Sequence, residues 1–248
     1  MAELSDMGQL PANALVHFVI PAYNEEANVG LVVRRLRALY PDGCVVVVND
    51  GSTDGTGARA RDGGAQVVID MPFNAGYGTA LHTGLVWSAR HEAKYTVTLD
   101  ADGQHDPTQI EKLLSLMEAG ADIALGSRFL PESVCYRVPA ARRAASWLFA
   151  RTVSLLAGKR FTDPTTGFQC LNRKALLLLV NLRDFPEKYP DADLILYSHL
   201  RGCRVEEAAV AMHADQTGDS MHGLWKSALY APKMFVAMLA VFLNRFAH

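Results

Sequence analysis

The sequence predicts an α/β protein whose central sheet is mostly parallel and flanked by helices. Between residues 15 and 125, short apolar segments typical of strands alternate with segments whose apolar side chains recur at helical spacing. The run Val45–Val48 is apolar at every position, which indicates a strand covered on both faces, as in a parallel sheet. Half of the 248 residues are hydrophobic and 20% are charged, as in folded globular proteins.

The first half of the chain carries most of this alternation. Strands are expected at residues 15–20, 44–48, 66–69, 95–99 and 122–125, and helices at 28–39, 78–89 and 107–119. Pro107 opens the third of these helices, a position where a missing N–H costs nothing. Asp54 precedes a further short helix as its expected N-cap.

The second half is expected to be less regular. It contains a loop at 129–139, a helix at 140–157, a turn-rich connection at 161–167, a helix at 192–200, a strand at 204–212 and a helix at 225–246 interrupted at Pro232. We therefore expect a tail over residues 1–14, one continuous domain over 15–221, and a helical appendage over 222–248 that faces a membrane or a partner.

Charge and targeting signals exclude several classes of protein. The 24 basic and 26 acidic side chains leave a formal net charge of −2, which argues against a general nucleic-acid binder. The N-terminus lacks the basic and apolar regions of a signal peptide, and no apolar run is long enough to span a membrane. The four scattered cysteines fit reduced thiols. The sequence predicts a cytoplasmic location, with a peripheral position at the cytoplasmic membrane face as an alternative.

Polar clusters follow four of the predicted strands. They lie at residues 21–26, 49–56, 100–106 and 126–128. Ligands of parallel α/β sheets bind beyond the carboxyl ends of the strands, so these clusters are expected to converge on one binding site.

The pair Asp100 and Asp102 is the sharpest of these signals. In an extended segment alternate residues face the same side, and two neighbouring carboxylates repel each other. A divalent cation removes that repulsion, and hard oxygen ligands suit Mg²⁺ or Mn²⁺ with positions left for substrate phosphates. A solvated turn at Asp102 and Gly103 is the alternative.

Two further features suggest a nucleotide-binding site. Asp50 ends the valine-rich strand, where its carboxylate could accept hydrogen bonds from a base or ribose. The turn Asn74–Gly78 precedes a helix, and its backbone amides could approach a diphosphate, although a plain turn explains it as well. Neither a GxGxxG motif nor a Walker lysine is present, which disfavours hydride transfer and kinase-type phosphate sites.

Six segments in order resemble the family 2 glycosyltransferases, which bind nucleotide-diphospho-sugars with a GT-A fold. They are IPAYNE (20–25), VNDGSTDGT (48–56), NAGYGTA (74–80), LDADGQHDP (99–107), GSRF (126–129) and TDPTTGF (162–168). The resemblance extends over residues 15–212 and is strongest to the dolichyl- and polyprenyl-phosphate sugar synthases. The QxxRW motif of processive polymerases is absent.

The resemblance implies a donor site and a metal site. The residues implied at the nucleotide-sugar are Pro21, Tyr23, Glu25, Asp50, Asn74, Gly76, Asp100, Ala101 and Asp102. For a Mg²⁺ or Mn²⁺ ion, Asp102 and Gln104 are the implied direct ligands, together with Asp100, and His105 ranks below Gln104.

The resemblance also implies catalytic residues. Arg128 and Arg142 match positions that contact phosphates on the donor or acceptor side, and Asp193 matches the acidic position near the acceptor, with Asp191 as the competing candidate. The implied activity is metal-dependent, inverting transfer of a hexose from a UDP- or GDP-sugar to a lipid-linked acceptor such as polyprenyl phosphate. Transfer to a sugar hydroxyl in cell-surface glycan assembly and a catalytically silent nucleotide-sugar-binding protein are the alternatives.

One departure from the family concerns the acceptor. The lipid-phosphate enzymes carry basic residues before the glycine that aligns with Gly218, whereas this chain has Asp215, Gln216 and Thr217 there. The sequence therefore leaves the choice between a phosphate and a hydroxyl acceptor open.

The helix at 140–157 and the stretch at 225–246 combine basic, aromatic and aliphatic side chains. Both could lie on a lipid surface with the apolar face down. They could equally pack on the core, form a homodimer contact, or dock a membrane-protein partner.

Overall fold

The computed structural model describes residues 15–135, 140–183, 185–187, 191–213 and 234–243, and the side chains of all of these except 135 and 140–142. The predicted tail at 1–14, the positions around Gly218 and most of the predicted appendage lie outside the described residues.

The described chain confirms the α/β prediction. Its elements are β1 (Val16–Ala22), α1 (Val29–Leu39), β2 (Cys44–Asn49), α2 (Thr56–Asp62), β3 (Val67–Asp70), α3 (Tyr77–Arg90), β4 (Tyr95–Thr98), α4 (Ile110–Glu118), β5 (Ile123–Ser127), β6 (Val134–Cys135), α5 (Ala140–Ala157), β7 (Gln169–Asn172), α6 (Arg173–Val180), α7 (Ala192–Leu200), β8 (Val205–Ala209) and β9 (Ala211–Met212). A 3₁₀ turn at Pro107–Gln109 precedes α4, and residues 234–243 form a C-terminal helix.

Seven strands form the central sheet in the order β3-β2-β1-β4-β7-β5-β8. All neighbours are parallel except β7, which runs antiparallel to both β4 and β5. Because β4 and β5 both oppose β7, they run in the same direction as β1 and β2. The carboxyl ends of β1, β2, β4 and β5 therefore meet at one edge of the sheet.

Three details differ from the sequence prediction. The strand β7 and the helix α6 were not predicted, since Gln169–Asn172 has only four residues with polar ends. The expected loop at 129–139 contains the short strand β6, which pairs with β9. The expected strand at 204–212 is divided at Val210 into β8 and β9.

Apolar side chains cover both faces of the sheet. Alternate residues of β2 point to opposite sides, with Val45 and Val47 in the cluster beneath α1 and α4, and Val46 in a smaller cluster on the other face. The helices α3, α5, α6 and α7 share a third cluster. Strand β2 is buried on both faces, as its sequence predicted.

The helix α5 packs on the core and also exposes apolar side chains. Phe149 is buried and lies 5.3 Å from Phe235 of the C-terminal helix, ring centroid to ring centroid. On the outer side, Trp147 is 64% exposed and Leu155 is 82% exposed. Core packing of this helix is thus confirmed, and contact of its outer face with a lipid surface or a second protein stays a prediction. Among the described residues no helix is both long and apolar enough to cross a bilayer.

The close packing of α3 on the sheet leads to a prediction for stability. A Cβ atom at Gly84 would lie 2.3 Å from Cγ1 of Val19 and 3.2 Å from Cγ2 of Val48. Overpacking costs about 1–3 kcal/mol, whereas alanine gains about 1 kcal/mol of helix propensity. Because the contact with Val19 is as short as 2.3 Å, we take the upper part of the overpacking range, about 2–3 kcal/mol, and expect Gly84→Ala to lower the free energy of unfolding in urea by about 1–2 kcal/mol.

The matched control is Thr83→Ala on the neighbouring, half-buried position of the same helix. It should change the free energy of unfolding by no more than about 0.5 kcal/mol. Equal stability of the two variants would show that α3 can move away from β1 at little cost.

Candidate functional site

The polar clusters predicted at strand ends converge at the carboxyl edge of the sheet. The turn after β1 and the turn after β2 are joined by hydrogen bonds. The N–H of Glu25 donates to Oγ1 of Thr56 at 2.8 Å, and the N–H of Thr53 donates to Oδ1 of Asn24 at 2.9 Å. Asn24 adopts a left-handed backbone with φ of 54°, a conformation that asparagine tolerates better than most residues. The two turns therefore form one wall of the site.

Asp50 lies just beyond β2 and is 2% exposed. Its two oxygens accept the N–H groups of Ala75 at 2.8 Å and Gly76 at 2.9 Å. A protein carboxylate therefore accepts these two amides in this structure, and the approach of a diphosphate to the turn stays a prediction. Contact of Asp50, Asn74 and Gly76 with a nucleotide stays a prediction.

The acidic segment after β4 is held from two sides. The hydroxyl of Tyr77 donates to Oδ1 of Asp100 at 3.0 Å. On the other side, the N–H of Asp100 donates to Nδ1 of His105 at 3.0 Å, and Nε2 of His105 lies 3.7 Å from Oδ2 of Asp100. Asp100 thus sits between an aromatic hydroxyl and an imidazole.

His105 is a buried neutral side chain that stacks on Phe168, with ring centroids 5.0 Å apart. Burial lowers the pKa of His105 to about 4, although the charge of Asp102 opposes this. Because Nδ1 accepts the hydrogen bond from Asp100, the proton of the neutral ring is on Nε2. His105 thus supports the backbone of Asp100, and its rank below Gln104 as a metal ligand stays a prediction.

Asp102 lies in a turn, so the extended conformation that we expected for residues 100–102 is wrong. Its oxygens accept the backbone N–H of Gln104 at 2.9 Å and the side-chain amide of Gln104 at 2.8 Å. The turn therefore brings Asp102 and Gln104 into contact, and their binding of a metal ion stays a prediction.

The donor set fits a divalent cation that is shared with a substrate. Within the described residues, no group of three or more His, Cys, Asp or Glu side chains forms a complete metal site. Mg²⁺ commonly takes only one or two protein carboxylates and completes its shell with water and phosphate oxygens. The oxygens of Asp100, Asp102 and Gln104 are the hard ligands that such an ion prefers.

Arg128 follows β5 and forms a bidentate pair with Asp163. Its Nε lies 2.7 Å from Oδ2 and its Nη2 lies 2.8 Å from Oδ1 of that carboxylate, which is fully buried. Glu207 of β8 then accepts the N–H groups of Thr162 and Asp163, each at 2.8 Å. Burial raises the pKa of Glu207, although these hydrogen bonds oppose the shift. The structure uses Arg128 to anchor the 162–167 segment, and phosphate contact stays a prediction.

The two predicted acids of the acceptor side lie at the start of α7. Asp193 is 6% exposed, and its Oδ1 has no hydrogen-bond partner among the described residues. Burial raises the pKa of Asp193 above its ordinary value, against the lowering effect of nearby backbone amides. Asp191 is half-buried at the N-cap position. A buried carboxyl with a raised pKa is a candidate proton acceptor.

The remaining predicted residues have simpler positions. Pro21 is buried in β1 and Ala101 is 3% exposed, whereas Tyr23 is half-buried in the turn after β1. Arg142 belongs to α5, but its side chain lies outside the described residues.

Sequence reasoning missed three contributors to this site. The roles of Tyr77 and Asp163 were not assigned, although both lie within family motifs, NAGYGTA and TDPTTGF. Glu207 stands in a strand without any motif, so no local signal in the sequence could have identified it.

Comparison with known proteins identifies a family that matches this chain. The profile of the family described as glycosyl transferase family 2 matches residues 17–177. The chain is 36% identical over 163 residues to a polyprenol monophosphomannose synthase of Mycolicibacterium smegmatis, covering 64% of this chain and 62% of that protein. It is 33% identical over 162 residues to an undecaprenyl-phosphate mannosyltransferase of Micrococcus luteus, covering 64% of this chain and 66% of that protein. Each match thus spans less than two thirds of the relative.

Solved structures show the same fold. A glucosyl-3-phosphoglycerate synthase of Mycobacterium tuberculosis, crystallised with Mn²⁺, UDP and phosphoglyceric acid, superposes with a TM-score of 0.71. The sequences are 20% identical, and the match covers 94% of this chain and 80% of that one. At 20% sequence identity, this similarity supports a shared GT-A fold and nothing beyond it. The family profile and the relatives together show that the chain belongs to glycosyl transferase family 2.

Proposed function

We propose that this chain transfers a hexose from a UDP- or GDP-sugar to a lipid-linked phosphate, such as polyprenyl phosphate, with inversion at the anomeric carbon. The observation that carries the proposal is the placement of Asp100, Asp102 and Gln104 at the carboxyl edge of a family 2 sheet. The two mannosyltransferase relatives support a lipid-phosphate acceptor.

The proposed reaction has one central displacement. The acceptor oxygen attacks the anomeric carbon while the bond from that carbon to the donor diphosphate breaks on the opposite face. Asp102 and Gln104 would hold a Mg²⁺ or Mn²⁺ ion, with Asp100 beside them. When bound, such an ion neutralises the charge that develops on the leaving diphosphate.

The protein contributes by keeping these side chains in place. Tyr77 and His105 restrain Asp100 on two sides. Asp163 fixes the direction of the Arg128 guanidinium, which we propose to face a phosphate of the donor or acceptor. Arg142 is the second proposed phosphate contact.

The acceptor determines whether a general base is needed. A phosphate monoester has a second pKa of about 6, so it is largely an anion at neutral pH and can attack without losing a further proton. A sugar hydroxyl needs a base, and the buried carboxyl of Asp193 is the observation that favours this second candidate function.

The donor assignment predicts metal-dependent stabilisation by a nucleotide. UDP, GDP and dTDP are added to the protein with and without Mn²⁺, and the thermal unfolding temperature is measured. A ligand at 100 times its dissociation constant stabilises the folded state by about 2.7 kcal/mol. We expect one base to be preferred, and the shift to be largely lost in Asp102→Ala.

Asp62→Ala is the matched control, because it removes an exposed carboxylate at the end of α2. It should keep the full nucleotide shift. No shift with any nucleotide would contradict the donor assignment, whereas a nucleotide shift without transfer from any donor would favour the silent binding protein.

The acceptor assignment predicts a mild effect of Asp193→Asn. With polyprenyl phosphate as acceptor, the variant should keep at least about a tenth of the wild-type kcat, since removing a required general base costs roughly 10²–10⁴-fold. Product formation from a labelled sugar donor measures this. A loss of kcat of roughly 10²–10⁴-fold would instead indicate that a general base is needed, as for a hydroxyl acceptor.

The same variant has an expected effect on stability. The raised pKa of folded Asp193 stabilises the protein only where the carboxyl is protonated, and this contribution is lost as pH rises above the unfolded pKa of about 3.9. Asp193→Asn should therefore unfold at a higher temperature than wild type at pH 7. The difference should shrink as the pH is lowered towards about 4. A variant that is less stable at pH 7 would contradict the burial argument.

A further inference from the structure

Tyr77 is held tightly beside the acidic segment, yet no motif assigns it a role. Its hydroxyl donates to Oδ1 of Asp100 at 3.0 Å. Its ring packs against the apolar cluster beneath α3 that includes Leu81. The ring is thus supported by the core while the hydroxyl reaches the site.

The backbone on both sides of Tyr77 is also restrained. The N–H of Gly76 donates to Oδ2 of Asp50 at 2.9 Å, and the N–H of Gly78 donates to the carbonyl of Glu187 at 2.8 Å. The start of α3 is therefore anchored to the end of β2 on one side and to the segment before α7 on the other.

Gly167 lies against the hydrogen bond between Tyr77 and Asp100. A Cβ atom at this position would lie 3.1 Å from the hydroxyl oxygen of Tyr77 and 3.3 Å from Oδ1 of Asp100. The Gly167 carbonyl accepts a hydrogen bond from Oγ1 of Thr98 at 2.7 Å. A Cβ atom at Gly167 would therefore press on both the hydroxyl and the carboxylate and displace them by a few tenths of an ångström.

We propose that Tyr77 is a positioning residue, whose hydroxyl orients the Asp100 carboxylate towards a divalent cation at the donor diphosphate. The inference rests on the proposed function, in which Asp100 and Asp102 serve that cation. Partners that hold metal-ligating carboxylates commonly change metal affinity by 10- to 100-fold when they are removed.

The experiment measures Mn²⁺ binding directly, by electron paramagnetic resonance of free Mn²⁺ in the presence of saturating UDP or GDP. Tyr77→Phe removes only the hydroxyl, and we expect the dissociation constant for Mn²⁺ to rise roughly 10- to 100-fold. Tyr95→Phe, at the opposite end of the adjoining strand, is the matched control and should bind Mn²⁺ as wild type does.

A double variant tests whether Tyr77 acts through Asp100. If it does, adding Tyr77→Phe to Asp100→Asn should weaken Mn²⁺ binding no further. Gly167→Ala presses on the same contact from the other side and should also weaken Mn²⁺ binding, which keeps the test available if Tyr77→Phe does not fold.

The outcomes separate this inference from the proposed function. If the wild-type protein with nucleotide binds no Mn²⁺, the metal-dependent function fails and this inference fails with it. If the wild type binds Mn²⁺ and folded Tyr77→Phe or Gly167→Ala binds it equally well, only the role of Tyr77 is overturned. A Tyr77→Phe effect that persists undiminished in the Asp100→Asn background overturns it as well.

Discussion

The repulsion between carboxylates gathered at one edge of a sheet is the constraint on which this site depends. Each of the acids is compensated by its own donors: Asp50 by two backbone amides, Asp163 by Arg128, and Asp100 by Tyr77. Buried or half-buried carboxylates without such partners would destabilise the fold. The loops around the site are therefore shaped largely by the need to supply donors, which for Asp102 are the backbone and side-chain N–H groups of Gln104.

This constraint also links the two sides of the site. Helix α3 begins between the end of β2 and the segment that precedes α7, and its first residue reaches the acidic segment after β4. Burial, the charge of Asp100 and the charge of Asp191 together raise the pKa of Tyr77, so Asp191 lies close enough to this hydroxyl to act on it. Asp193 lies in the first turn of α7, after the N-cap residue Asp191, and burial rather than a charged partner raises its pKa.

The sequence predicted the parallel sheet and the place of the site because both depend on local patterns. Apolar runs such as Val45–Val48 and polar clusters at strand ends are visible residue by residue. The hydrogen-bond partners of the site residues were harder to predict. Nothing local shows that the amides of Ala75 and Gly76 serve Asp50, or that Glu207, which lies 45 residues from Thr162, accepts its N–H. Strand β7 was missed because its four residues are stabilised by neighbours on both sides rather than by their own pattern.

The central claim is that Asp102 and its neighbours hold a divalent cation against the donor diphosphate. A crystal structure of the chain grown with Mn²⁺ and the stabilising nucleoside diphosphate, with anomalous scattering recorded for manganese, tests this most directly. The account predicts a manganese peak bonded to the Asp102 carboxylate and to diphosphate oxygens, with the Tyr77–Asp100 hydrogen bond intact. A diphosphate bound at the sheet edge with manganese absent from it, or manganese bound only elsewhere, would contradict the account.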